Sequence, residues 1–271
     1  MKNKVFCIAG LFFTGCLFCG LQGCKKVISV DLKEVPPRIV IEGNITDLRG
    51  PYQVMISQTV NFSADNTFPP VSGAEVRITD STASVSETLT ESAPGLYTTS
   101  LLQGFPGHTY GLDVKSGGRQ YTASSKMPQP VELDSVNFSQ DIDLGGNTII
   151  EAVVNFQDPV GLGNSYQFTE IINGKRLDRI FVFDDRLSDG RTISEILFTD
   201  SAYLQIGDSL EVQLFCVDPK IYNYFYALSL ISADNNSTQS ATPANPVSNL
   251  GNGALGYFSA HTVFSRSGIV D

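Results

Sequence analysis

Between residues 38 and 128 the chain breaks into short runs of alternating apolar and polar residues, each closed by a Gly or Pro turn. Tyr52-Gln53-Val54-Met55-Ile56-Ser57 and Ala74-Glu75-Val76-Arg77-Ile78-Thr79 repeat with period two. That is the period of a strand with one face buried, and no helical period competes with it here. Ile39-Val40-Ile41-Glu42-Gly43 opens the series, and Gly50-Pro51 makes the first turn. A polar loop runs from Thr59 to Val71, and Thr88-Leu89-Thr90 gives another strand. Pro94-Gly95 turns into Leu96-Tyr97-Thr98-Thr99, and Pro106-Gly107 precedes Thr109 to Val114. Gly117-Gly118 is a two-residue hairpin signal before Gln120 to Ala123. Seven short strands at this spacing predict a β-sandwich over 38–128.

Met127-Pro128-Gln129-Pro130 ends that domain, because two prolines in four residues cannot continue a ladder. Residues 131–271 read as a second, mainly antiparallel β domain, so the fold class is all-β. Val131 to Phe138 is a strand, and Thr148 to Phe156 is long and apolar until Asp158-Pro159 breaks it. Tyr166 to Ile172 and Arg179 to Phe183 flank Asn173-Gly174, a strong hairpin turn. Leu210 to Val217 follows. Asp218-Pro219 then has the pattern of an N-cap with proline at the first helical position. Ile221, Tyr222, Phe225, Leu228, Leu230 and Ile231 continue at helical spacing, which places a helix at about 219–233. Asp234 to Asn252 is a polar loop, and Ala254 to Phe264 is a closing strand.

The start of the chain is of another kind. Lys2 and Lys4 precede an apolar run from Val5 to Leu21, and Leu21-Gln22-Gly23-Cys24 follows. A basic start, an apolar stretch and a small residue before the cut define a secretory signal. A Cys directly after the small residue is the lipoprotein form of that signal: the thiol takes a diacylglycerol through a thioether. Residues 1–23 are therefore expected to be removed, Cys24 to be lipidated, and 24–37 to act as a tether. Part of the tether, from Val27 to Leu32, could add an edge strand. The run is short for a membrane span of ~30 Å, and Gly10, Gly15 and Gly20 weaken it as a helix.

Removing the signal leaves about 250 residues, enough for one large or two modest domains. The formal charge of −10 grows more negative without Lys2 and Lys4. An acidic chain with no basic cluster is a poor match for nucleic acid. Of the five cysteines, Cys7, Cys16 and Cys19 leave with the signal, so no disulfide framework is expected. Cys216, within an apolar strand, reads as a small core residue.

The ordered set PRIVIEGNITD (37–47), Pro51-Tyr52, Val71-Ser72-Gly73-Ala74, Pro94-Gly95-Leu96-Tyr97, Gly107 to Tyr110, Tyr121 to Ser125 with Met127-Pro128, Asp218 to Leu230 and PANPVSNLGNGALGYF (243–258) resembles the Bacteroidota lipoproteins of domain-of-unknown-function family 4249. The resemblance covers nearly all of the chain after Cys24. It implies an immunoglobulin- or transthyretin-like first domain and a second β domain. It also implies a lipid-anchored outer-membrane protein, facing the periplasm or the cell surface, beside a TonB-dependent outer-membrane transporter. The family has no established catalytic residues, so the resemblance assigns none. The expected role is a non-enzymatic accessory or ligand-capture lipoprotein without a cofactor. The rival readings are a structural or adhesive surface module and an envelope hydrolase.

Few residues point to chemistry. Asp184-Asp185-Arg186-Leu187-Ser188-Asp189-Gly190 is the densest acidic stretch. Asp184, Asp185 and Asp189 could offer oxygens to Ca²⁺, which takes six to eight, but the spacing is not that of an EF-hand. A solvated hairpin loop is the preferred reading. Asp141-Ile142-Asp143 reads as an ordinary turn. His108 is expected in an exposed turn and His261 in the closing strand, and neither has a zinc-ligand spacing. No Gly-x-Ser-x-Gly occurs. In the helix, Tyr222 and Phe225 or Tyr226 should pack inward, leaving Tyr224 exposed as a candidate for a partner's surface. The glycines of Asn249 to Phe258 suggest close backbone approach at a strand entry. Asp80-Ser81-Thr82, Asp134-Ser135-Val136, Asp200-Ser201-Ala202 and Asp208-Ser209-Leu210 resemble a short O-glycosylation acceptor pattern.

Overall fold

The computed structural model describes residues 36–61, 64–65, 67–142, 145–146, 148–197, 204–233 and 245–271. The expected signal, Cys24, the tether strand at 27–32, Asp143, Asp200-Ser201 and residues 234–244 lie outside them.

The first half forms β1 (Ile39–Thr46), β2 (Gln53–Gln58), β3 (Glu75–Asp80), β4 (Val85–Thr88), β5 (Thr90–Ala93), β6 (Leu96–Thr98), β7 (Thr109–Ser116) and β8 (Arg119–Lys126). These strands divide between two sheets. β1, β2, β6 and β5 are neighbours in one, and β4-β3-β7-β8 make the other. Alternation decides what lies between them. Ile41 and Ile45 of β1, Val54 and Ile56 of β2, Val76 and Ile78 of β3, and Leu112 and Val114 of β7 are all buried in one core. The expected β-sandwich is what these strands build. The stretch Thr88-Leu89-Thr90, read as one strand, is instead the crossing between sheets. β4 ends at Thr88 in one, β5 begins at Thr90 in the other, and Leu89 drops into the core.

The second half adds β9 (Leu133–Ile142), β10 (Thr148–Gln157), β11 (Ser165–Ile172), β12 (Lys175–Arg176), β13 (Phe181–Asp184), β14 (Thr192–Leu197), β15 (Ser209–Cys216), α1 (Pro219–Ala233) and β16 (Leu255–Ile269). The sheet β14-β10-β9 faces β11 and β15 across a second core. Ala152, Val154 and Phe156 come from β10, and Phe168, Val212 and Leu214 come from the opposing strands. Asn173 and Gly174 both have positive φ, as the tight hairpin between β11 and β12 requires.

β16 joins the two halves. Its first part, Leu255 to His261, runs parallel to β1, and Thr262 to Ile269 runs antiparallel to β15. Leu250, Ala254, Phe258 and Ala260 thereby enter the first core, although they follow the second half in sequence. The prolines at 128 and 130 separate the two cores along the chain, and this returning strand is the exception. Its entry depends on Gly256. With φ of +89°, a Cβ there would sit 2.1 Å from the Ile41 carbonyl oxygen. The close approach expected of this glycine-rich stretch is therefore real.

α1 begins as expected. Asp218 Oδ1 accepts the N–H of Lys220 at 2.9 Å, and Pro219 takes the first helical position. The helix lies on the far side of the long sheet, where Ile221 and Tyr222 bury against Phe215 and Val217.

Candidate functional site

The acidic residues that meet in space differ from those adjacent in sequence. Ligand oxygens of Asp158, Asp185 and Asp189 lie within 4.8 Å of one another. Asp184, expected in this group, points elsewhere. Successive side chains at the end of β13 leave on opposite faces. The Asp184 carboxylate instead takes Arg186 Nε at 2.7 Å, and Tyr222 on α1 also hydrogen-bonds it. Asp158, which the sequence offers only as a strand breaker beside Pro159, takes its place.

Asp158 and Asp185 are each 1% exposed. The solvated hairpin loop expected for 184–190 is therefore solvated only in part. Asp185 accepts the N–H of Gly163 on both oxygens (3.0 and 2.9 Å) and that of Asn164 on Oδ2 (2.9 Å). Asp158 accepts the N–H of Gly190 at 2.9 Å and the hydroxyl of Tyr166 in a short bond. Asp189 accepts the N–H of Gly161 at 2.6 Å. Burial, then the hydrogen bond to Asp158, pushes the Tyr166 phenol well above its ordinary value. The three carboxylates thus fasten the β10–β11 loop (158–164) to the β13–β14 loop (185–191). Five of the six carboxylate oxygens accept an N–H or O–H bond from the chain itself. Their geometry is that of a staple.

The stapled loop forms one wall of a cavity of about 360 Å³. The opposite wall is the connection Lys126 to Val131 with Gly107, and the floor is Tyr166, Cys216 and Val217. The connection is held by paired bonds: Gly107 N–H to Met127 O at 2.8 Å and Met127 N–H to His108 O at 2.9 Å. Lys126 N–H reaches Asp218 Oδ2 at 3.2 Å. The cavity therefore opens at the seam between the two cores. Three prolines, 128, 159 and 219, line it. In sequence Pro128 and Pro159 were legible only as chain breakers, and Pro219 only as the start of the helix.

Other flagged residues have structural employment. Cys216 is buried, as expected, and burial pushes its thiol up to about 11. His108 is not a free turn residue. Its Nδ1 lies 2.7 Å from Asp80 Oδ2, its side chain is 28% exposed, and its ring stacks on Tyr110. Asp80 is 2% exposed. Burial pushes its carboxyl up, but His108 and the N–H groups of Ala83 and Thr82 outweigh that and hold it below the usual range. His261 sits in β16, as expected, with Ser259 Oγ at 2.9 Å from its Nδ1. Burial, with Arg176 adding to it, pushes this imidazole down to about 4. Tyr224 is half-buried, contrary to expectation, because Tyr257 of β16 comes up beneath it with ring centroids 5.3 Å apart. Phe225 packs inward beside it, and Tyr226 is the exposed ring, stacked on Tyr222. Cys24 lies outside the described residues.

These sheets and the seam define an all-β protein with two cores, a shared closing strand and a cavity where the cores meet. The chain belongs to the family described as domain of unknown function DUF4249, which matches residues 25–267. No curated protein matches it. Among solved structures, the alpha chain of the chicken interferon gamma receptor is similar at 9% identity and a TM-score of 0.22, over 67% of this chain and 89% of that one. The all-β assignment rests on the sheets themselves.

Proposed function

We propose that this chain is a lipid-anchored protein of the bacterial cell envelope, an accessory or ligand-capture partner of a TonB-dependent outer-membrane transporter, with no catalysis of its own. The observation that carries this reading is the order of its first residues: Lys2 and Lys4, the apolar run to Leu21, small Gly23, then Cys24. The family match supports it by beginning at residue 25, directly after the lipid site. Each buried CH₂ adds ~0.8 kcal/mol, and two or more acyl chains hold a protein on a membrane stably. Cys24 would then anchor the chain without a spanning segment. Among the described residues no helix is long and apolar enough to cross a membrane. The structural roles of His108, His261 and Cys216 favour a binding protein over a hydrolase.

Purification of the native protein from membranes in mild detergent tests the transporter association. A TonB-dependent barrel is expected to come with it in comparable amount. Recovery of the chain alone would contradict the association. Loss of cell attachment on deletion, with nutrient uptake intact, would favour the adhesive module instead.

A further inference from the structure

We infer that the seam cavity is a binding site for a small, uncharged molecule with an apolar body, of the size of a single substituted ring. The inference does not depend on where the protein is anchored.

Size comes first. At about 360 Å³ the cavity is at the small end of ligand sites, which run from roughly 300 to 1,000 Å³. It opens at the surface, at the seam between two well-filled cores.

Chemistry comes next. Pro128, Val131, Pro159, Val160 and Val217 supply an apolar lining. The carboxylate and the phenol there are engaged already, and Lys126 is exposed to solvent. Asp218 gives one oxygen to Lys220 N–H and the other to Lys126 N–H. The Tyr166 hydroxyl is committed to Asp158. An ion entering this space would lose its water without a free counter-charge on the apolar side, which is costly. A neutral molecule loses little and can still hydrogen-bond at the polar rim, where Gln129 and Ser165 also line the cavity.

The walls are also held in place. Two buried carboxylates serve to fix the 158–164 loop, and paired backbone bonds fix the 126–131 connection. Burying carboxylates is an expensive way to hold a loop unless its shape matters. Walls set before the ligand arrives lower the ordering cost of binding.

Methyl NMR tests the site directly. Residues 25–271 contain every described strand and both cores, and Val131 lines the cavity while Val54 lies within the first core. With ¹³C-methyl valine, at least one of benzyl alcohol, cyclohexanol and indole should shift Val131 saturably and leave Val54 unmoved. Benzoate and benzylammonium should bind roughly tenfold more weakly or less. Val160 is 89% exposed at the rim, so Val160→Trp should leave the unfolding temperature unchanged and cut the affinity roughly tenfold. The inference is overturned if no neutral probe moves Val131 at millimolar concentration. It is also overturned if the charged analogues bind as well, or if Val160→Trp binds like the parent.

Discussion

Asp185 and Gly163 are tied at both carboxylate oxygens, 3.0 and 2.9 Å from one backbone N–H, although 22 residues separate them. Asn164 adds a further N–H at 2.9 Å. Replacing Asp185 by Ala leaves these part-buried donors without their acceptor, each costing at most the roughly 1–3 kcal/mol of a fully buried one. Asp185→Ala should therefore lower stability in urea by roughly 2–3 kcal/mol. Adding millimolar Ca²⁺ should leave the parent's midpoint unchanged. A Ca²⁺-dependent rise that vanishes in Asp185→Ala would show that the staple is a metal site after all.

Gly256 sets the meeting of β16 with β1. An added methyl would stand 2.1 Å from the Ile41 carbonyl oxygen, at a φ that L-residues rarely take. Gly256→Ala should cost more than about 3 kcal/mol, or prevent folding. Gly118 has φ of +74° with open space around it. Gly118→Ala should cost only about 1 kcal/mol, and thermal unfolding of the pair separates steric clash from backbone strain.

The folded-state pKa of His261, about 4, lies below the ordinary 6.5 of a free imidazole. The unfolded chain therefore binds a proton that the folded one refuses. Stability from this group is fully present above pH 6.5 and is lost as pH falls toward 4. The loss amounts to on the order of 2–3 kcal/mol. Glu42, raised by burial from 4.5, acts in the opposite direction just above that value. The difference between the parent and His261→Gln isolates the histidine. Urea midpoints of the variant should fall less between pH 6.5 and 4, and an unchanged slope would refute the assignment.

Asp218 caps α1 and also accepts the N–H of Lys126, at the edge of the cavity. Asp218→Ala should cost about 1–2 kcal/mol, the upper range for a lost cap. It should also shift the Met127 methyl in the unliganded protein. A normal Met127 resonance would mean that the cap and the connection are independent.

What the sequence made legible follows from how each feature is encoded. Val54, Ile56, Val76 and Ile78 announce their strands because alternation is local, and Asp218-Pro219 announces the helix for the same reason. β14 went unread because Thr192 to Leu197 carries a polar pair, Ser194-Glu195, where a stronger pattern was needed. Leu89 reads as mid-strand because nothing local marks a switch of sheets. Tyr224 reads as exposed because helical spacing cannot see Tyr257 arriving from β16. The same limit hid the staple. Asp158 and Asp185 are 27 positions apart in sequence, and only the β10–β11 and β13–β14 loops bring them together. The cavity is still less local, since its walls come from four separate stretches of chain.

The anchor at Cys24 is the central claim, and the mass of the native N-terminus tests it most directly. The chain isolated from its own membranes should begin at Cys24 and carry diacylglycerol on the thiol. A chain that retains residues 1–23, or that begins at an unmodified residue, would contradict it.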